Sequence, residues 1–132
     1  MITIGVISDT HGLLREEALS ALEGSDLIIH AGDVGAADIL QRLELMAPVH
    51  VVRGNTDGGA LGASLPTTET VELKTPGAEG LSAVLAYVLH DMEELDLDPR
   101  AAGVSVVIHG HTHRPDISRQ DDVLYFNCRR RP

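Results

Sequence analysis

Residues 2–11 read ITIGVISDTH, an apolar run rich in β-branched residues that turns polar at Ser8. The apolar part predicts a short buried strand at Ile2–Ile7. The same alternation continues through the first half of the chain, where helix-like and strand-like segments follow one another. In order, these are a helix at Arg15–Leu22, a strand at Leu27–His30, a helix at Ala36–Leu45 and a strand at Val49–Arg53. Apolar strands separated by crossover helices predict parallel strands covered on both faces, and therefore an α/β fold.

The second half of the chain is richer in strand patterns. Glycine, alanine and serine dominate the segment from Gly58 to Thr68, which predicts a loop. Beyond this loop we expect strands at Thr70–Lys74, Leu81–Leu89 and Val104–Ile108, a helix at Glu93–Gly103, and a final hairpin that pairs Asp116–Arg119 with Val123–Asn127.

The composition limits the classes of function. The chain has 132 residues and a formal net charge of −10, so we expect one soluble domain over residues 1–132. The acidic excess argues against a long nucleic acid as partner, because such partners need clustered positive charge. Cys128 is the single cysteine, which excludes an internal disulfide and a multi-cysteine zinc site. The longest uncharged apolar stretch, Leu81–Leu89, is too short to span a membrane, and the first residues carry no targeting pattern, so we expect a cytoplasmic protein.

Polar side chains follow five of the predicted strands directly. They are Asp9, His11, Asp33, Asn55, Asp57, His90, His111 and His113. In an open parallel sheet the carboxyl ends of the strands share one edge, where ligands bind, so we expect these side chains to converge. Carboxylates, imidazoles and one amide suit manganese, iron or zinc rather than calcium. Seven of the eight residues are candidate ligands, which suits two neighbouring ions that share a carboxylate, while Asp57 is assigned to ordering its loop. The competing explanation for Asp9 and Asp33 is that each caps the helix that follows it.

The ordered motifs resemble a known family. The motifs are Asp9-Thr10-His11, Gly32-Asp33, Gly54-Asn55-Thr56-Asp57, His90 and Gly110-His111-Thr112-His113. In this order they resemble the signature of the calcineurin-like metallophosphoesterases, and most of all the small bacterial and archaeal phosphodiesterases. The resemblance extends from Ile2 to Pro115 and implies a four-layer α/β fold, in which a sandwich of two mixed sheets is flanked by helices.

The resemblance also implies a site and a reaction. Asp9, His11 and His113 would hold one divalent transition metal ion, Asn55, His90 and His111 would hold a second, and Asp33 would bridge them. We expect manganese, with iron, zinc and nickel as alternatives. A hydroxide that bridges the two ions would attack the phosphorus of a small phosphodiester. Asp33, Asn55 and His90 are the residues we expect to be catalytic.

Three features depart from the pattern of the family. Asp91 follows His90, where relatives usually have glycine, and it begins a run of acidic residues that would bind cations or repel phosphate. Thr56 stands where many members of the wider superfamily have a histidine that assists the reaction, which leaves His30 and His109 as candidate proton donors. The strands at the carboxyl end look shortened, because relatives usually continue beyond Asn127 into further strands.

Several alternatives remain open at this stage. The chain is a phosphodiesterase, a phosphomonoesterase that uses the same site, or a binding scaffold of the same fold with little or no catalysis, as in the retromer subunit of eukaryotes. We expect a small phosphoester as substrate and no membrane partner. A strand that ends at Asn127 would expose backbone groups to pairing with another chain, so we also expect a homo-oligomer.

Overall fold

Eight strands form two sheets in the computed structural model, which describes residues 2–77, 80–112 and 116–127. The first sheet is parallel, in the order β1 (Ile4–Ile7), β2 (Leu27–His30) and β3 (Val49–Val51). The second sheet is mixed, in the order β4-β5-β6-β8-β7. Its strands are β4 (Thr68–Gly77), β5 (Gly80–Leu89), β6 (Val104–His109), β7 (Asp116–Gln120) and β8 (Val123–Asn127). The predicted two-sheet α/β architecture is therefore confirmed.

Three helices connect the strands of the first half. They are α1 (Glu16–Leu22), α2 (Ala37–Glu44) and α3 (Gly59–Ser64). Alternate residues of β2 face opposite layers: Ile28 packs with α2 through Leu43, whereas Ile29 packs with Val88 of the second sheet. All four side chains are essentially inaccessible to solvent, and burying one such side chain contributes about 1.5–3 kcal/mol. Within the described part of the chain, no helix has the length and apolarity needed to cross a membrane.

Two local predictions are wrong. The segment predicted as a loop contains α3, whose Gly62 lies so close to Asp57 that an added Cβ would stand 2.3 Å from the Asp57 carbonyl oxygen. The close packing that glycine permits therefore outweighs its low helix propensity. The helix predicted at Glu93–Gly103 is only a single 3-10 turn, Met92–Glu94, followed by turns. Pro99 disfavours helical backbone at Asp98 and cannot donate a backbone hydrogen bond, so the helix does not continue.

The strand that ends at Asn127 is not an edge strand. β8 pairs in parallel with β6 on one side and antiparallel with β7 on the other. The edges of the second sheet, among the described residues, are therefore β4 and β7. The predicted free edge at Asn127 is wrong because the final hairpin turns outward and places β7 outside β8. A homo-oligomer stays a prediction, and it now concerns the edge of β7. Residues 128–132, which include Cys128, lie outside the described residues.

Candidate metal centre

The predicted site residues follow the carboxyl ends of strands from both sheets. Asp9 and His11 follow β1, Asp33 follows β2, Asn55 follows β3, His90 follows β5, and His111 follows β6. Backbone hydrogen bonds fasten the loops in pairs, since the N–H of Asp9 donates to the Gly32 carbonyl at 2.8 Å and that of Gly110 donates to the His90 carbonyl at 3.0 Å. The strand pattern alone predicts a site at the edge of one open sheet. The structure instead brings these residues together at one end of a two-sheet sandwich.

Asp9, His11 and Asp33 form a first group of side chains. Nε2 of His11 lies 3.9 Å from Oδ1 of Asp9 and 3.7 Å from Oδ2 of Asp33. One ligand atom from each residue lies within 4.8 Å of the other two. Both carboxylates are buried, and oxygen donors beside an imidazole nitrogen are suited to a divalent transition metal. His113, which was expected beside this group, lies outside the described residues.

Asn55, His90 and His111 form a second group. Oδ1 of Asn55 lies 2.9 Å from Nε2 of His90 and 3.1 Å from Nδ1 of His111. The two imidazole rings meet edge to face, with centroids 5.1 Å apart. His90 is buried, whereas Asn55 and His111 are exposed. The group therefore places two ring nitrogens around one amide oxygen and remains accessible from solvent.

Asp33 lies between the two groups. Its Oδ2 atom is 3.7 Å from Nε2 of His11 in the first group and 3.3 Å from Nε2 of His90 in the second. Its Oδ1 atom accepts a hydrogen bond of 2.9 Å from the backbone N–H of Thr56. Burial by itself would raise the pKa of Asp33, but the hydrogen bonds from Thr56 and the two histidines lower it below its usual value. Asp33 is therefore an ionised carboxylate at neutral pH.

The hydrogen bonds of His90 fix which ring nitrogen faces the site. Nδ1 of His90 lies 2.8 Å from the carbonyl oxygen of Ala31, which can only accept a hydrogen bond, so Nδ1 carries the proton. In neutral His90 the lone pair is then on Nε2, and it faces Oδ2 of Asp33 and Oδ1 of Asn55. Three lone pairs that converge in this way are stabilised by a cation between them. The second group thus fits a metal ion in the chemistry of its donors.

The backbone of the site is strained at four of its residues. Asp9, His11, Asp33 and His111 have φ of 56°, 49°, 58° and 75°, in the left-handed region that L residues rarely adopt. The only other described non-glycine residues with positive φ, Asp121 and Asp122, form the two-residue turn between β7 and β8. Strain of this kind persists where the surrounding structure imposes it, and it is common at functional sites.

Glycines allow the loops to approach each other closely. A Cβ at Gly54 would stand 2.1 Å from the backbone nitrogen of Asp33, so only glycine fits between the β2 and β3 loops. At Gly32, where φ is +104°, a Cβ would stand 2.7 Å from Nδ1 of His90. Both glycines are thus needed to bring Asp33 and His90 together.

Asp57 ties the β2 and β3 loops together and is not part of either group. Its carboxylate accepts backbone hydrogen bonds from Val34 at 3.1 Å, Gly35 at 3.0 Å and Gly54 at 3.0 Å. These three bonds support the loop-ordering role expected from the sequence. The competing explanation for Asp9 and Asp33 is excluded, because α1 and α2 have Arg15 and Ala36 at their N-caps and receive no side-chain cap hydrogen bond.

Thr10 and His30 are buried and link the loops that follow β1 and β2. The sequence indicates His30 as a candidate but gives no signal for Thr10. Nδ1 of His30 accepts a hydrogen bond of 3.1 Å from the N–H of Gly32, so Nε2 of the neutral ring carries the proton and donates to Thr10 at 3.0 Å. The hydroxyl of Thr10 in turn donates to the carbonyl of Val34 at 2.8 Å. Burial lowers the pKa of His30 to about 4, so it is neutral at pH 7. His30 therefore links two loops through hydrogen bonds and is not suited to be the general acid of the reaction.

A cavity of about 380 Å³ opens beside the second group. Its walls are formed by Arg53, Gly54, Asn55, Asp57, Thr67, His90, Asp91 and Glu94. Asp91 also stands 3.8 Å from Nε2 of His111, measured from its Oδ2 atom. The cavity is large enough for one arm of a small ester next to the converging lone pairs.

Comparison with known proteins identifies the family. Residues 2–128 match the calcineurin-like phosphoesterase superfamily domain. A protein named probable metallophosphoesterase from the archaeon Methanothermobacter thermautotrophicus is 36% identical over 129 residues, which are 94% of this chain and 74% of the relative. The chain therefore belongs to the calcineurin-like phosphoesterase superfamily, as the motifs of the sequence indicated.

Solved structures agree with this assignment at the level of the fold. An archaeal phosphodiesterase superposes with a TM-score of 0.73 and 25% identity, and the match covers 94% of this chain and 81% of the other. A zinc complex of Vps29 from Entamoeba histolytica superposes with a TM-score of 0.71 at 22% identity, covering 94% of this chain and 72% of the other. The fold is thus shared by a protein described as a phosphodiesterase and by Vps29.

Proposed function

We propose that this chain is a dinuclear metal-dependent phosphodiesterase that hydrolyses small phosphodiesters. The observation that carries the proposal is the position of Asp33, whose Oδ2 atom lies within 4 Å of a ring nitrogen from each of the two groups. One carboxylate oxygen shared by two sets of nitrogen and oxygen donors is the arrangement that two neighbouring cations require.

We assign the ligands by group. Asp9 and His11 would hold the first ion together with His113, which is assigned from its motif alone. Asn55, His90 and His111 would hold the second ion, and Asp33 would bridge the two. The nitrogen and oxygen donors favour manganese, with iron, zinc and nickel as alternatives.

The ions, when bound, supply Lewis acidity and an activated water for in-line attack on phosphorus. The residues of the chain orient the ligand atoms and set their charge. Asp33 would contribute the negative charge that two neighbouring cations need, and the hydrogen bond from Thr56 stabilises its ionised form. His90 presents Nε2 because its other nitrogen is fixed on Ala31. Asn55 is exposed to solvent, so its amide N–H₂ would be available to a phosphoryl oxygen of the substrate.

The charge around the cavity supports diesters as the substrate class. A phosphomonoester carries about two negative charges at neutral pH, whereas a diester carries one. The residues that line the cavity include the acidic Asp57, Asp91 and Glu94 but only one basic residue, Arg53. Repulsion from these carboxylates should disfavour the more highly charged monoester.

The experiment compares two substrates on metal-free protein resupplied with one metal at a time. We expect manganese to restore hydrolysis of bis(p-nitrophenyl) phosphate and to restore hydrolysis of p-nitrophenyl phosphate much less. Turnover that survives complete chelation would contradict the metal requirement. A preference for the monoester would favour the phosphomonoesterase.

A scaffold is the remaining alternative, and metal binding alone does not exclude it, since a Vps29 of the same fold has been solved as a zinc complex. Stoichiometric metal without hydrolysis of either ester would identify the scaffold. Asp38→Asn is the matched control for every Asp→Asn change in the site, because Asp38 is an exposed carboxylate on α2.

A further inference from the structure

Asp91 stands directly behind one of the proposed ligands. Its Oδ2 atom lies 3.8 Å from Nε2 of His111, on the side of the ring away from Asn55. The side chain of Asp91 is about one quarter exposed and that of His111 about two fifths, at 26% and 42%. The contact is therefore partly shielded from water, and the charge of Asp91 acts on His111 more strongly than a fully solvated charge would.

The side chain of Asp91 is already fixed in direction. Its Oδ1 atom accepts a hydrogen bond of 3.0 Å from the backbone N–H of Glu93, which makes Asp91 the N-cap of the 3-10 turn. The second oxygen is left to face His111. A carboxylate that is held at one oxygen loses little further entropy when the other oxygen engages a partner.

The ring of His111 is oriented from several sides. Its Nδ1 atom faces Oδ1 of Asn55 at 3.1 Å, and the ring meets His90 edge to face. Its backbone N–H points to Oδ2 of Asp9 at 3.3 Å, with φ at +75°. What remains open is the tautomer. A carboxylate at Nε2 keeps the proton on that nitrogen and leaves the lone pair on Nδ1, which faces the site.

We infer that Asp91 is a positioning residue that orients His111 and keeps its proton on Nε2, so that the lone pair of Nδ1 faces the second metal ion. A small rotation of either side chain would convert the 3.8 Å approach into a hydrogen bond. The other carboxylates of the acidic run are not placed to do this: among the described residues, Asp91 alone of the run has a carboxylate oxygen within 4 Å of a ring nitrogen of a proposed histidine ligand. The inference rests on the proposed function, because it presupposes that His111 binds a metal.

The test measures metal affinity rather than activity. Metal-free wild-type protein, Asp91→Asn and Asp96→Asn are titrated with Mn²⁺ by calorimetry. Asp96→Asn is the matched control, since Asp96 is an exposed carboxylate of the same acidic run and its replacement changes the net charge by the same amount. We expect Asp91→Asn to weaken binding of one of two Mn²⁺ ions by about 10- to 100-fold, as the loss of such outer partners usually does, and Asp96→Asn to change it less than about threefold.

Unfolding of the metal-free proteins separates positioning from folding. Asparagine at position 91 keeps an oxygen for the Glu93 N–H, so its melting temperature without metal should match that of the wild type. Should Asp91→Asn unfold, Asp91→Ser serves as the second variant, because serine is uncharged and keeps an oxygen for the Glu93 N–H. Equal Mn²⁺ affinities for Asp91→Asn and Asp96→Asn overturn the inference while the proposed function stands. Wild-type protein that binds no Mn²⁺ overturns both.

Discussion

Nε2 of His90 lies 3.3 Å from Oδ2 of Asp33, although one residue follows a strand of the second sheet and the other follows a strand of the first. Both side chains are buried, and neither sheet alone contains both groups of donors. The candidate metal centre therefore exists only when the two sheets pack against each other. Packing of Ile29 in β2 and of Val52, which directly follows β3, against Val88 and Ile108 of the second sheet supports it directly.

Replacing Asp33 with asparagine should remove most of the activity. The amide keeps the size of the carboxylate but not the charge that two neighbouring cations need. We expect hydrolysis to fall by at least about 100-fold, the scale on which the loss of a catalytic electrostatic group acts, and Mn²⁺ affinity to fall at both sites. Steady-state kinetics and calorimetry on Asp33→Asn check this, with Asp38→Asn as the control. Near-normal kinetics would show that the bridge lies elsewhere.

Replacing Asp57 with asparagine should act on the fold instead. The carboxylate accepts three backbone hydrogen bonds in a buried place, and an amide would turn its N–H₂ toward at least one of those donors. We expect the free energy of unfolding to drop by about 2–4 kcal/mol, in line with leaving buried donors unsatisfied. Below the melting temperature the variant should still bind Mn²⁺. Urea unfolding should therefore show the larger loss of stability for Asp57→Asn, and metal titration the larger loss of Mn²⁺ affinity for Asp33→Asn. An Asp57→Asn variant that loses Mn²⁺ affinity at unchanged stability would contradict the assignment.

The stability of the metal-free protein should fall between pH 7 and pH 5 because of His30. Burial lowers the pKa of His30 to about 4, and although the charges of Asp57 and Asp9 oppose this, the ring stays neutral in the folded state. Above its ordinary pKa of about 6.5 the ring is neutral in both states and has no effect on stability. As the pH drops below that value, the unfolded chain gains a proton that the folded protein excludes, so folding is weakened.

For His30 alone this loss amounts to about 2 kcal/mol between pH 7 and pH 5. Urea unfolding in the presence of a chelator should show a smaller pH dependence in His30→Asn, by this amount, than in the wild type. Asparagine preserves an acceptor for the Gly32 N–H and does not titrate. Identical pH dependence in the two proteins would mean that His30 is not held neutral by the fold.

The rate of hydrolysis should depend steeply on the leaving group. A positioned general acid usually contributes 10²–10⁴-fold, and it matters most for poor leaving groups. Neither of the two candidate proton donors is suited to this role: His30 is fully buried and neutral, and burial also lowers the pKa of His109. The hydroxyl of Thr56 is far too weak an acid. A series of aryl phosphodiesters of graded leaving-group pKa measures the dependence. A flat series would show that another residue donates the proton.

The first half of the fold could be predicted closely because its pattern is local. β2 has the bounds that the sequence indicates, α1 begins one residue later than predicted, and α2 is one residue shorter at each end. The errors arise where tertiary contacts outweigh composition. α3 forms in a glycine-rich segment because Gly62 packs against Asp57, and no local pattern shows that contact. The position of β8 inside its sheet likewise depends on pairing with β6, a strand distant in sequence.

The candidate site could be predicted as a set of residues but not as a geometry. The motifs and their order identify Asp9, Asp33 and His90, whose separation in sequence says nothing about how far apart their atoms lie. The proton on Nδ1 of His90 depends on the Ala31 carbonyl, and the ionised state of Asp33 depends on Thr56. The Ala31 carbonyl and the Thr56 N–H are backbone groups, which carry no signature of residue type. Sequence alone gives no signal for such contacts.

At Asp9, His11, Asp33 and His111 the left-handed backbone opposes the stability of the fold to the placement of the proposed ligands. Each L residue held in that region costs roughly 1 kcal/mol or more, and glycine would relieve the cost. This backbone cost accompanies the side chains that define the proposed use of the site. The aspartates and histidines at these four positions are therefore explained by what their side chains bind and not by the stability of the backbone.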